Sequence, residues 1–298
     1  MGDAQQQTMM VAGMIVFALV DIVLLLVWGY RRFVRNEPTF APRWSVVDVW
    51  VGVHLIGALL VLLLVPLMAV LFALPGVRVE NLTNFAKPEA LLYLALPGTI
   101  LQNVACFLVP AGYIWFKYGQ RLRDIGLPPR PSRRDVTAGL LLGLAGLVVA
   151  QGLGLGLHAL ARHFDDIEFV RKMLEYEKNN PVAQITKMLP TFGIPGLLLA
   201  VLTIGISAPV GEEMLFRGFA MNALTRRFGA TAGLVGSSLL FAAPHTYSPL
   251  GQSVVFLLGL AMAWTYRNSG SLWVPILFHA VNNTAIVLVA YFFPALNV

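Results

Sequence analysis

The chain contains eight apolar runs that are long enough, or nearly long enough, to cross a lipid bilayer. A helix needs about 20 apolar residues to span a hydrocarbon core of roughly 30 Å. The runs cover residues 9–28, 49–74, 90–116, 136–160, 194–224, 230–244, 253–266 and 272–293. The sixth and seventh are short, which is tolerated where a helix packs against protein rather than lipid. The pattern predicts an all-α fold, a polytopic transmembrane helical bundle of about eight helices.

The composition excludes most classes of soluble protein. Only 12% of the residues are charged and 57% are hydrophobic, whereas a typical soluble domain is about 25% charged. The 21 Lys and Arg residues are spread along the chain and do not form the clustered stripe of a nucleic-acid binder. One cysteine, Cys106, excludes an internal disulfide framework and a thiolate-rich metal site. We expect a multi-pass protein of the cell membrane, in contact with the lipid bilayer and without a nucleic-acid partner.

Basic residues distinguish the two ends of the predicted bundle. Thirteen Lys and Arg residues lie in the loops on one side, mainly 29–48 and 117–135, and seven lie in the loops on the other. By the positive-inside rule the first side is cytoplasmic. The proline-containing loop 117–135 divides the chain into an N-terminal three-helix part, 1–135, and a C-terminal five-helix part, 136–298. The opposite loop, 161–192, has the spacing of a short amphipathic helix at the outer surface, although a solvated connector fits equally well.

Two acids and an arginine lie together inside the fifth apolar run. A charge at mid-membrane costs at least about 2.5 to 3.5 kcal/mol, so such residues are candidates for function. Glu213 and Arg217 are spaced i, i+4, and a glutamate preceding the base is the favoured order for a pair. Glu212 points about 100° away from Glu213 and lacks a local partner, which suits a group that takes and returns a proton. The alternative is a structural ion cluster that holds another helix.

Two further polar clusters occur in later apolar runs. His245 lies four residues after Phe241 and directly after Pro244, where the helix is expected to bend or end. His279 and Asn283 lie one turn apart, and both can donate hydrogen bonds to an oxygen that develops negative charge. Taken alone, His245 is weak evidence for a site, and the pair His279 and Asn283 is more typical of interhelical hydrogen bonding. At about 1.5 Å of rise per residue, however, all three clusters reach a similar depth, which predicts that they converge.

The motifs Glu212-Glu213-x-x-x-Arg217, Phe241-x-x-x-His245 and His279-x-x-x-Asn283 resemble those of the CPBP family of intramembrane endopeptidases. This family comprises the CAAX proteases, including CAAX prenyl protease 2, and bacteriocin-processing enzymes. The resemblance implies a helical bundle with its catalytic core in the last four helices, residues 194–293. It implies that Glu212 activates a water, that His245 orients it, and that His279 and Asn283 stabilise the oxyanion. Glu213 and Arg217 would support the site.

The resemblance leaves the metal requirement and the function to be tested. Two histidines and a glutamate could bind zinc, but the sequence lacks a His-Glu-x-x-His motif, and we expect a metal-free, glutamate-dependent peptidase with no cofactor. Its partner would be a membrane-associated protein or peptide substrate. The alternatives are a non-proteolytic membrane scaffold or immunity-type protein of the same fold, or a proton-coupled transporter.

Overall fold

The computed structural model describes residues 40–73 and 90–294, so the predicted segment 9–28 lies outside the described residues. The described residues form eight helices and no strand. In chain order the helices are α1 (Val46–Ala73), α2 (Ala90–Lys117), α3 (Arg133–Arg162), α4 (Glu168–Asn179), α5 (Ala183–Phe228), α6 (Ala230–Ala242), α7 (Pro249–Ser269) and α8 (Trp273–Phe292). Six of these helices are long and apolar enough to cross a membrane, and α6 is a shorter apolar helix. The predicted helical bundle is confirmed.

Several helices extend beyond the segments predicted from hydropathy, and α7 and α3 show the reason. The N-terminus of α7 lies at Pro249, because the Ser248 hydroxyl accepts a hydrogen bond from the Leu250 N–H and caps the helix. Its C-terminus lies before Gly270, which has a φ of 65°. Similarly, α3 begins at a capping box formed by Ser132 and Asp135. Capping groups are polar, so an apolar window ends before it reaches them.

Helix α5 is irregular on both sides of the two glutamates. Val201–Ser207 and Met214–Met221 are π-helical, and the α-helical segment between them, Ala208–Glu213, contains both acids. Pro209 lacks the N–H that a regular helix would donate to the carbonyl of Gly205, which accounts for the change of winding before the acids. Wide helical turns of this kind are frequent at functional sites.

The described parts of the predicted cytoplasmic loops meet at one end of the bundle, whereas Arg31, Arg32 and Arg35 lie outside the described residues. The Arg226 guanidinium donates to the carbonyls of Pro42 and Arg43 at 3.0 and 2.7 Å, and the Trp273 indole donates to the Pro128 carbonyl at 2.9 Å. Gly126 has a φ of 77°, and a Cβ there would overlap the Gly270 carbonyl oxygen. Glycine therefore allows the loop to pack against the turn before α8. Which side of a membrane this end faces stays a prediction.

The main apolar core joins helices from both predicted parts of the chain. The Trp44 indole donates to the Phe219 carbonyl at 2.8 Å, and the two rings stack at 5.5 Å. Residues of α1 and α2 pack in the same cluster as residues of α5, α7 and α8. Asp48 at the start of α1 binds Lys117 and the Tyr118 hydroxyl, which gives this membrane-end acid a structural role. The division at residue 135 stays a prediction.

Candidate active site

Glu213 and Arg217 form the predicted ion pair in the interior of the bundle. Arg217 Nη1 lies 2.8 Å from Glu213 Oε1, and both side chains are fully buried. The i, i+4 spacing places them on one side of α5, although the helix is π-helical from Met214 onward. Because both side chains are buried away from solvent, removal of either one leaves the other as an uncompensated charge.

Two further groups surround the Arg217 guanidinium. Nη2 donates to the Gly259 carbonyl of α7 at 2.9 Å, and the guanidinium carbon lies 4.5 Å from the centre of the Phe241 ring of α6. Such a cation–π contact contributes about 2 kcal/mol when both groups are desolvated. Arg217 therefore links α5 to α6 and α7 at the level of the site.

His279 of α8 lies between the two neighbouring glutamates. Its Nδ1 is 3.0 Å from Glu213 Oε1, and Nδ1 is the donor because that carboxylate also accepts from Arg217. Its Nε2 faces the other acid, 4.0 Å from Glu212 Oε2. This separation exceeds a direct hydrogen bond and matches a contact bridged by one small molecule such as water. Glu213 thus orients the ring that faces Glu212.

Glu212 differs from Glu213 in both pairing and access. The Glu212 side chain is 18% exposed, whereas that of Glu213 is 0% exposed. Glu212 Oε2 is buried and has no hydrogen-bond partner among the described residues. The same holds for Glu213 Oε2, but Glu213 Oε1 accepts from both Arg217 and His279. Buried polar atoms in proteins are nearly always hydrogen-bonded, so a carboxylate oxygen in this position fits a substrate or water that it binds during function. Glu213 is thus paired with Arg217, whereas Glu212 has no such partner and is partly accessible.

His245 lies after the end of α6, where Pro244 was predicted to interrupt the helix. Its Nδ1 lies 2.7 Å from the Phe241 carbonyl, and a carbonyl only accepts, so Nε2 is the free acceptor of the neutral ring. The Phe241 ring contacts both imidazoles, with ring centroids 4.9 Å from His245 and 5.5 Å from His279. Phe241 therefore packs between the two histidines and the arginine.

Asn283 lies one turn beyond His279 on α8, and its amide is engaged with α5. Nδ2 donates to the Ile204 carbonyl at 2.9 Å. An amide nitrogen has a second N–H, for which the described contacts provide no acceptor. The neighbouring Asn282 instead points to α3, where it donates to the Gly143 carbonyl at 3.0 Å. Among the described residues, no hydrogen bond joins His245 or Asn283 directly to Glu212, and their roles stay predictions.

Glu177 of α4 and Tyr247 also lie near the site, although no motif in the sequence indicates them. The Glu177 carboxylate accepts from the Ser248 hydroxyl and from the Gly251 N–H, and its other oxygen accepts from Asn180. It therefore holds α4 against the segment that contains His245 and Tyr247. The Ser-Pro pair at the start of α7 is a capping signal that hydropathy alone overlooks.

Tyr247 stacks beside His245 near the Glu177 contact. The two rings lie 6.2 Å apart with an interplanar angle of 10°. Burial raises the pKa of Tyr247 to about 12, so the hydroxyl stays protonated at neutral pH and can donate a hydrogen bond.

The donor atoms at the site do not form a set of metal ligands. Among the residues that the structure describes, no three His, Cys, Asp or Glu side chains are arranged to hold a metal ion. Catalytic zinc usually takes three protein ligands, whereas Glu213 here accepts hydrogen bonds from both Arg217 and His279. The geometry thus gives no fit for zinc, and the absence of a cofactor stays a prediction.

The comparisons with known proteins identify the segment that contains the site. Residues 194–285 match the family described as type II CAAX prenyl endopeptidase Rce1-like. An uncharacterized 24.3 kDa protein of Escherichia coli is 38% identical over 99 residues, which are 32% of this chain and 46% of that relative. The match thus spans less than half of the relative's length. No solved structure matches the chain significantly.

The family match confirms the predicted resemblance over residues 194–285. That family is described as one of prenyl endopeptidases. The matched segment contains all six residues predicted for the site: Glu212, Glu213, Arg217, His245, His279 and Asn283.

Proposed function

We propose, on the basis of the family match of residues 194–285 and the surroundings of Glu212, that the protein is an intramembrane glutamic-type endopeptidase. It hydrolyses a peptide bond in a membrane-associated protein or peptide. Glu212 is the general base that removes a proton from the attacking water, a role that contributes typically 10²- to 10⁴-fold to the rate.

The observation that supports this proposal best is the unpartnered Glu212 oxygen that faces His279 Nε2 at 4.0 Å. A glutamate with a purely structural role would be expected to form an ion pair, as Glu213 does with Arg217. A water placed between Glu212 and His279 would contact the Glu212 carboxylate oxygen on one side and the His279 imidazole on the other. Such a water could attack a carbonyl carbon with its proton passing to Glu212.

The remaining site residues have supporting roles in this mechanism. His245, through the free Nε2 of its ring, helps to orient the water. Asn283 stabilises the tetrahedral oxyanion through its second amide N–H. His279 does so when its Nε2 also carries a proton, since its Nδ1 N–H is donated to Glu213. Each such donor is worth about 10²- to 10³-fold in kcat. Glu213 and Arg217 are positioning residues, since they hold His279 and link α5 to α7 without facing the unpartnered Glu212 oxygen.

The proposed reaction needs no metal, and chelation together with elemental analysis tests this requirement separately. We expect activity to persist after treatment with a strong chelator and elemental analysis to find well below one zinc per chain. Stoichiometric zinc that is lost together with activity would contradict the metal-free mechanism.

The substrate belongs to the membrane, because the site lies within helices whose outer faces are apolar. Two kinds of substrate fit: proteins with a lipid-anchored C-terminal segment, and membrane-bound peptide precursors. We place the protein in the cell membrane as a multi-pass protein.

A comparison of two glutamine variants tests the proposed function. Membrane peptides of cells that express the wild type, Glu212→Gln or Glu168→Gln would be compared, and the purified proteins would then be incubated with the candidate substrate in its lipidated and unmodified forms. Glu168 is an exposed glutamate of α4 and provides a matched control. We expect Glu212→Gln to insert and fold but to lose cleavage, and Glu168→Gln to keep it. Cleavage by folded Glu212→Gln would overturn the proposal, and a biological activity that this variant retains would indicate a scaffold.

A further inference from the structure

A cavity of about 550 Å³ lies between α2, α5, α8 and the loop that joins α2 to α3. Its walls are largely apolar and include Phe107, Leu127, Val210, Trp273 and Ile276. Val210 and Ile276 each precede a site residue, Glu213 and His279, by one helical turn. The cavity is therefore adjacent to the candidate active site but does not include any of its residues.

Two arginines line the same cavity on the loop side. Arg121 and Arg123 are both exposed. Arg123 has one acidic neighbour, Asp124, at 3.8 Å, and both of these side chains are solvent-accessible. Arg121 makes no ion pair within the described part of the chain. The exposed contact between Arg123 and Asp124 contributes little interaction energy. Both guanidinium groups are therefore available to bind an anion.

A second cavity of about 290 Å³ continues the first along the surface of α2 and α5. The two cavities share Phe107 and Val210. The second is lined in addition by Val104, Leu108 and Ile206, whose side chains are exposed on the outside of the bundle. In a bundle of membrane-spanning helices this outer face meets acyl chains. An apolar groove thus runs from the membrane-facing surface to two arginines at the end of the bundle.

We propose that this groove is a binding site for an anionic phospholipid. Its phosphate lies at Arg121 and Arg123, and one acyl chain follows the groove past Phe107 and Val210. Basic pockets between transmembrane helices recognise acidic head groups by charge, while the apolar walls replace contacts with neighbouring lipid. A soluble anion such as inorganic phosphate would bind only the arginines, so the acyl chain makes the site specific for a lipid. This inference does not depend on the proposed peptidase activity.

Quenching of Trp273 fluorescence provides a direct measurement, because this side chain lines the cavity. The protein would be reconstituted in phosphatidylcholine vesicles that contain, at equal low mole fraction, either phosphatidylglycerol or phosphatidylcholine with brominated acyl chains. The chain has six tryptophans, so the Trp273→Phe protein identifies the signal that belongs to the cavity. Native mass spectrometry of the same proteins would count retained phosphatidylglycerol independently.

We expect Trp273 to be quenched at a lower mole fraction of the anionic lipid than of the neutral one. An arginine near the membrane surface favours acidic lipid by about fivefold, and we expect a selectivity on the order of tenfold for the two exposed arginines. The selectivity should disappear in Arg121→Gln/Arg123→Gln. It should persist in Arg133→Gln/Arg134→Gln, which removes equal charge from the adjacent start of α3, from residues that do not line the cavity.

Three outcomes would overturn the proposal. Equal quenching by both lipids in the wild type would show that the groove does not select a head group. Equal loss of selectivity in the two double variants would show that the selectivity comes from the overall positive charge of this surface and not from the groove. Displacement of the lipid by inorganic phosphate alone would show an anion site without a specific acyl-chain contact.

Discussion

Replacement of Glu213 by glutamine tests the contrast between the two neighbouring acids most directly. The substitution keeps the volume of the side chain and removes its charge. In the wild type, Glu213 accepts from Arg217 at 2.8 Å and from His279 at 3.0 Å in a fully buried environment. In Glu213→Gln the Arg217 guanidinium would retain the Gly259 carbonyl, the Phe241 ring and a neutral amide oxygen as partners, but no counter-charge.

The expected destabilisation is about 3 kcal/mol in the free energy of unfolding. Breaking a buried ion pair by removing one partner typically costs about 3–5 kcal/mol. We expect the lower end of this range, because the carbonyl and the aromatic ring continue to stabilise the guanidinium. The Glu213→Gln/Arg217→Met double variant removes both charges, and such replacements are often neutral in stability. It should therefore recover most of the loss.

Glu212→Gln should behave in the opposite way. It removes a carboxylate whose buried oxygen has no partner among the described residues, so the free energy of unfolding should change by less than about 1 kcal/mol. Cleavage should fall by about 10²- to 10⁴-fold, the typical contribution of a general base.

Equilibrium unfolding in mixed micelles, followed by far-ultraviolet circular dichroism, would measure these free energies, and peptide cleavage would be measured on the same preparations. A Glu213→Gln protein as stable as the wild type would refute the ion-pair argument. A Glu212→Gln protein destabilised as strongly as Glu213→Gln would show that both acids are structural.

Three other substitutions test the packing and the chemistry of the site. Gly211→Ala should lower the thermal midpoint in detergent, because a Cβ there would overlap a backbone carbonyl of α2, whereas Gly154→Ala, with no atom near its added Cβ, should leave the midpoint unchanged or slightly higher. Asn283→Ala should lower kcat for the identified substrate by about 10²- to 10³-fold and leave KM nearly unchanged if the amide stabilises the oxyanion; a change in KM alone would assign it to substrate binding. Glu177→Ala should accelerate hydrogen exchange at the start of α7, since it removes the acceptor of the Ser248 hydroxyl and the Gly251 N–H, and unchanged exchange would show that α4 does not hold this segment.

Local spacing predicted the parts of the site that lie within one helical turn. The pairing of Glu213 with Arg217 follows from the i, i+4 geometry, and the interruption after α6 follows from Pro244. The contact of Glu177 with the start of α7 could not be predicted in the same way. It joins residues that are 71 and 74 positions apart, and a glutamate on an amphipathic helix is more often solvated.

The amino-acid sequence alone determined that this chain is a bundle of membrane-spanning helices and that the polar motifs of the candidate site lie in apolar runs of its last third. Apolar run length and helical periodicity are local properties, so they can be read from neighbouring residues. Only the tertiary structure decided that His279 lies between the two glutamates, that Arg217 reaches Gly259 and Phe241, and that a groove ends at two arginines. These contacts depend on how closely separate helices approach and at what angle they cross, which the shapes of many side chains set together.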